Sequence, residues 1–469
     1  MNTDTGFWIM EPFNRLFWIV TAAFLLLLLA ASLLFYAYGE PKFVLVMAAS
    51  IGVNYGLALL IDERRSRASK SAKGILILDI FLNIGLLFIC KYLDFAITTF
   101  NSLLKTDIRT FGIPLPIGIS FFTFQALSYV IDVYRGTAQV QKNVLNTALY
   151  ISFFPQLIAG PIVRYSSIEK QITDRHHGSE IFGEGAQRFM LGFCKKVILA
   201  NNLASAASEV FLLNPASAEP LLLWIGSVCY SLQIFFDFSG YSDMAIGLGK
   251  MFGFHFEENF NYPYIAASVT DFWRRWHISL SRWFRDYVYI PLGGSHVPLG
   301  RQILNLFIVW LLTGIWHGAN FTFIFWGLGY FVLLTLEKYI IRPAGRTNKL
   351  FRILWRAVTL LSVNFFWVIF NSETLRRGLR YCMGMLGFYV RSSALDPLAV
   401  RLIREYGFFI LLGVIFSTPA ARILKKKIEE SSLAPVRKAA IPLLYALLFL
   451  WAVSFLILGA HNPFIYFNF

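Results

Sequence analysis

The chain is short of charge. Only 15% of its 469 residues are Asp, Glu, Lys or Arg, where a soluble domain carries about a quarter. At this length a soluble protein would divide into two or three domains, each needing a polar skin, and the residues for that skin are missing. Cysteine is scarce as well. Cys90, Cys194, Cys229 and Cys382 lie within or beside apolar segments without metal-ligand spacing, so they read as small buried hydrophobes and not as a disulfide framework. No fixed-period repeat or low-complexity segment occurs, and no HExxH, CxxC, GxSxG, Walker or GxGxxG pattern stands in a credible setting. Together these absences exclude disordered, collagen-like and coiled-coil classes, and leave no signature of a metal site.

What the chain has is apolar mass: 57% hydrophobic residues, 47 of them Phe. A spanning helix needs about 20 mostly apolar residues, and the clearest candidates are 16–38, 41–61, 74–99, 113–131, 220–248, 319–341, 353–371, 404–420 and 437–460. Stretches 144–163, 188–213 and 302–317 are shorter or more broken. The expected architecture is an all-α polytopic membrane protein with roughly nine to twelve embedded helices, some tilted or re-entrant. The runs lack the ten-residue alternation of a barrel. Residues 1–469 read as a single membrane-embedded domain, with a short polar segment at 1–15 and an interfacial region rich in Trp and Arg at 254–301. The run from Leu16 to Tyr38 is too long for a signal-peptide core and is expected to be retained. The 42 Lys plus Arg against 27 Asp plus Glu give a net charge of +15, scattered between spans. That scatter marks topology and anionic head groups, not nucleic acid. Arg64, Arg65, Arg67, Lys70 and Lys73 place the loop 62–73 in the cytoplasm by the positive-inside rule, and the clusters at 342–356 and 422–427 favour the same face.

Ionisable groups inside such apolar runs cost on the order of 2.5–3.5 kcal/mol each and mark candidate sites. Three places qualify. Asp237 and Asp243, with Ser239 and Tyr241 between them, form either a polar network locking helices together or a functional pair; each is expected to take hydrogen bonds or an Arg from the next segment. The run Asp271 to Asp286 interleaves aromatics with Arg274, Arg275, Arg282 and Arg285. It reads either as an interfacial helix or as a clamp for a phosphorylated donor such as coenzyme A, since guanidinium grips phosphate bidentately. His277 follows on the same stretch. His317 lies between two apolar runs, flanked by Gly314 and Gly318; it is either a satisfied core histidine or a general base. His176 and His177 occupy a polar loop, and His255, His296 and His461 have ordinary settings. With no serine in a nucleophile elbow, base-assisted direct transfer is favoured over an acyl-enzyme.

The motifs Asp237-Phe238-Ser239-Gly240-Tyr241-Ser242-Asp243, Asn259 to Tyr264, Phe272-Trp273-Arg274-Arg275-Trp276-His277-Ile278-Ser279-Leu280-Ser281 and Gly314-Ile315-Trp316-His317-Gly318-Ala319, taken in order, resemble the membrane-bound O-acyltransferases, in the branch concerned with alginate O-acetylation. Similarity extends to Tyr36–Phe43, Ala159–Tyr165 and Asn462–Phe467. The resemblance implies helices surrounding a tunnel or funnel, with His317 catalytic and His277 at a second family position. It also implies acetyl-CoA as the donor with no tightly bound cofactor, an exported polysaccharide such as alginate as the acceptor, and an exported SGNH-type partner. Arg274, Arg275, Trp276, Arg282, Asp271 and Asn320 would bind the donor or support the site, Asn320 steadying an oxyanion. Relatives usually carry a further apolar helix before 16–38, where residues 1–15 here hold Asp4, Glu11 and Arg15. Peptidoglycan acylation and D-alanyl transfer to teichoic acid are variants within the family. A transporter or flippase using Asp237, Asp243 and His317 as a proton relay is the alternative outside it.

Overall fold

The computed structural model describes residues 23–67, 69, 71–158, 160–175, 178–345, 348–389, 396–430, 434–457 and 464. The segment 1–15, the start of span 16–38, the histidines at 176, 177 and 461, and most of the 462–467 motif lie outside these. Every regular element among the described residues is helical. Among the described residues six helices are long and apolar enough to cross a bilayer: Phe43–Ser66 (α1), Ser71–Leu104 (α2), Pro220–Met251, Leu299–His317, Phe321–Ile341 and Lys349–Asn371. The chain is an all-α multi-pass membrane protein. It packs as two compact units, 1–182 with 249–256, and 183–248 with 257–469.

Most expected spans are helical with shifted ends. The 113–131 stretch is not helical until Ile119: Pro114 and Pro116 deny the backbone its donors, Gly118 turns at φ +76°, and the helix that follows, Ile119–Arg135 (α3), has 17 residues. Conversely 302–317, which reads as broken, lies in one unbroken 19-residue helix. In the first unit α1 packs on α2 and α3. Asn54 on α1 and Asn83 on α2 exchange side-chain amide hydrogen bonds of 3.3 and 3.0 Å, a pairing suited to a medium with no competing water. Tyr129 of α3 packs edge-on against Tyr165, ring centroids 4.8 Å apart, beside Tyr150.

In the second unit Ser179–Cys194 (α4) runs through a π turn, Lys195–Ala200, and crosses the 32-residue helix Pro220–Met251 (α5). The crossing is backbone on backbone: a Cβ at Gly240 would stand 2.8 Å from the Gly192 carbonyl oxygen, and one at Gly247 2.6 Å from that of Gly185. Two short helices follow, Val269–Arg275 (α6) and Ile278–Phe284 (α7). Next comes a tight hairpin of Leu299–His317 (α8) with Phe321–Leu336 (α9), then Lys349–Asn371 (α10). The hairpin depends on Gly327, where a Cβ would lie 2.4 Å from the Trp310 carbonyl oxygen and 3.1 Å from the Gly314 Cα. Gly327→Ala must therefore push α8 and α9 apart. We expect a cost of about 1–3 kcal/mol, the usual penalty of overpacking, read as a lowered thermal-unfolding midpoint in detergent; a wild-type midpoint would contradict this packing.

Candidate active site

His317 is the last residue of α8, and the α8–α9 turn behind it is built by Asn320. The Asn320 Oδ1 accepts from the Thr322 N–H (3.0 Å), capping α9, while its Nδ2 donates to the Glu373 carbonyl (2.9 Å). Both ends of that amide are thus committed to the fold beside His317. The imidazole is buried in an aromatic box, with ring centroids 5.0 Å from Trp316, 5.0 Å from Trp326 and 5.1 Å from Phe370.

His277 reaches the same wall from another part of the chain. It joins α6 to α7 in a left-handed conformation, φ +44°, which costs a non-glycine residue about 1–2 kcal/mol. Neighbouring polar contacts hold it there. Asn259 accepts from the Ser279 N–H (3.1 Å) and hydroxyl (2.9 Å) through Oδ1, and from the Ile278 N–H (3.0 Å) through its carbonyl. The Arg275 carbonyl accepts from the Asn261 N–H at 2.9 Å. The His277 ring is 98% buried against Phe238, Phe260 and Trp316, the last at 6.1 Å between centroids. Trp316 is therefore a neighbour of both histidines. Trp276 sits beside them in the aromatic core, 4.9 Å from Trp367.

The charged candidates are arranged around this centre. Asp237 pairs with Lys196 at 2.5 Å, and Asp243 with both Arg188 and Lys195 at 2.6 Å, Arg188 also binding Glu258. Their cations come from α4 and its π turn, upstream, and not from the arginines of the following segment as the sequence suggests. Ser239 is buried, and Tyr241 packs on Phe464 at 5.0 Å. Of the four arginines between 274 and 285, Arg275 is paired with Asp271 (2.9 Å), Arg282 with Glu257 and Arg285 with Asp286 (2.6 Å). Arg274 is exposed and has no acidic partner among the described residues. No group of three or more potential His, Cys, Asp or Glu metal ligands occurs among the described residues. Sequence reasoning missed Trp316, Trp326 and Phe370 as the box around His317, since each alone looks like ordinary core.

The chain belongs to the membrane-bound O-acyltransferase family: the family's model matches residues 138–373. It is similar to the protein named "Probable alginate O-acetylase AlgI" in Pseudomonas aeruginosa, 44% identical over 77% of this chain and 70% of that one. The protein of the same name in Pseudomonas putida is 38% identical over 95% of this chain and 94% of its own. The peptidoglycan O-acetyltransferase of Helicobacter pylori is 37% identical over 77% and 73%. The protein is a membrane acyltransferase.

Burial away from water pushes the His277 imidazole down to about 3, so it is neutral at physiological pH. Between that value and the ordinary one near 6.5, the unfolded chain takes up a proton that the folded chain refuses. Stability is therefore full above pH 6.5 and falls with acidification, by up to about 1.4 kcal/mol per pH unit from this residue. Unfolding midpoints measured from pH 7 down to pH 5 are expected to fall more steeply for the wild type than for His277→Gln. Parallel slopes would mean that His277 is not held neutral by burial.

Proposed function

We propose that this chain carries an acetyl group from a cytoplasmic thioester, acetyl-CoA, to a hydroxyl reached from the far side of the membrane. The final acceptor is an exported polysaccharide such as alginate, acetylated through an exported SGNH-type partner that receives the group first. His317 is the general base. The acceptor oxygen attacks the thioester carbonyl carbon as His317 takes its proton. The tetrahedral intermediate then expels the thiolate by breaking the carbon–sulfur bond, and the thiolate recovers a proton from the imidazolium, leaving an acetyl ester and free coenzyme A. His277, neutral and against the same Trp316, orients the donor end of the reacting groups.

The observation that carries this reading is the burial of His317 in an aromatic box at the end of α8, with His277 against the same tryptophan. A neutral imidazole shielded from water is a competent base near pH 7, and apolar walls strengthen every charge that develops beside it. Arg274 is the member of the Trp- and Arg-rich run free to meet the donor's phosphates, because Arg275 and Arg282 are engaged by Asp271 and Glu257. The proton-relay alternative is weakened by the same geometry, since Asp237 and Asp243 are held as ion pairs. Similarity to alginate and peptidoglycan acetylating proteins favours acetyl as the cargo.

With the purified protein in lipid, labelled acetyl-CoA and the partner protein, His317→Ala is expected to slow label transfer by about 10²–10⁴-fold, the usual worth of a general base. Its elution profile and thermal midpoint should stay near wild type. Wild-type transfer by a folded His317→Ala protein would remove His317 from the chemistry.

A further inference from the structure

Outside the aromatic box, the second unit holds a cavity of about 1130 Å³ between α6, the end of α9 with its π turn Glu337–Ile341, and the start of α10. Six cations line it: Arg274, Lys338, Arg342, Lys349, Arg352 and Arg356. Only two carboxylates do, and both are committed elsewhere. Glu337 is buried, accepting the Val269 and Thr270 N–H groups at 2.8 Å each and the Trp355 indole N–H at 3.1 Å. It thereby staples the start of α6 to α10. Asp271 takes the Arg275 guanidinium and the Ala267 N–H, both at 2.9 Å. Arg274, Arg342, Lys349, Arg352 and Arg356 have no acidic partner among the described residues. Like charges gathered round one cavity repel one another, and a stable fold keeps such a cluster where an anion offsets it.

The placement narrows the anion. Lys349, Arg352 and Arg356 recur at helical spacing along one face of α10 and so converge on the cavity. Leu350, Ile353 and Leu354 on the same turns are exposed apolar side chains, at the end of a helix long enough to cross a bilayer. Leu306, Leu334 and Ile353 give the cavity itself an apolar wall. Guanidinium groups in number, beside an apolar flank at a helix end, suit the oxygens of a phosphate ester carrying an apolar or bulky remainder. We infer that this cavity is a phosphate-ester site, filled either by an anionic phospholipid head group or by a soluble phosphorylated compound. Five of its six cations lie in 338–356, a segment that the proposed acyl transfer does not use. Occupancy can therefore be measured without any transfer reaction; Arg274 belongs to both readings, so absence of binding would withdraw its phosphate role while leaving the general-base role of His317 to its own test.

The test uses the full chain in phosphatidylcholine nanodiscs. One arm adds phosphatidylglycerol to the discs and measures lipid retained by native mass spectrometry; the other measures binding of radiolabelled adenosine 3′,5′-bisphosphate by equilibrium dialysis. Binding in either arm is expected to weaken by roughly tenfold for each arginine lost in Arg352→Gln and Arg356→Gln, to fall with salt, and to be unchanged in Arg422→Gln, a cation outside the cavity. Lys349→Gln provides a second variant should an arginine variant misfold. Response in the first arm alone identifies lipid, and in the second alone a soluble ester; either supports the site. Binding in neither arm, or binding that the cavity variants retain in full, overturns it.

Discussion

The feature on which the rest depends is that two histidines from separate parts of the chain share one tryptophan. His317 ends a spanning helix and His277 turns between two short ones, yet both rings rest against Trp316. In water neither imidazole would be a defined chemical species near pH 7. Both rings are instead buried in aromatic walls, and the price is a left-handed backbone at His277, held by Asn259 and its contacts to Ser279. Strain of that kind persists only where the surroundings over-determine it. Here those surroundings are the loop that the motif Asn259 to Tyr264 supplies.

Charge is sorted around this dry centre. The carboxylates inside α5 are neutralised by Lys195, Lys196 and Arg188 from the crossing helix, and the glycine contacts between α4 and α5 let the backbones approach closely enough for short pairs. Removing one partner of such a pair would leave an uncompensated charge in an apolar setting, at a cost of about 3–5 kcal/mol. Cations with no acidic partner among the described residues instead line a cavity beside α6 and α10. A chain with little charge thus uses what it has in two ways, paired within the fold and unpaired at a helix end.

Much of this was readable beforehand, and the reasons differ by feature. Spans are set by apolar run length, so helices such as Phe43–Ser66 and Pro220–Met251 lie where composition puts them. Prolines fix ends that hydrophobicity cannot see, as Pro114 and Pro116 do before Ile119. His317 was visible as a polar ring between apolar runs, which by itself reads as a satisfied core histidine as readily as a base, and only the motif around it singled it out. The partners of Asp237 and Asp243 did not, because helix crossing brings together residues about fifty positions apart and the sequence shows no trace of it. Nor could spacing tell that Arg275 and Arg282 were engaged while Arg274 has no acidic partner among the described residues, or that Glu337, one acid at the end of a span, pins the start of α6. Those outcomes depend on tertiary placement, which local pattern does not encode.

The central claim is that His277, Trp316 and His317 form one working unit. A double-variant cycle on the single-turnover acetyl-transfer rate, pairing His277→Gln with Trp316→Phe, tests it most directly, because residues acting together give non-additive effects. The account predicts a coupling of about 0.5–3 kcal/mol, with the double variant faster than the product of the single losses would make it. Losses that multiply independently would contradict it.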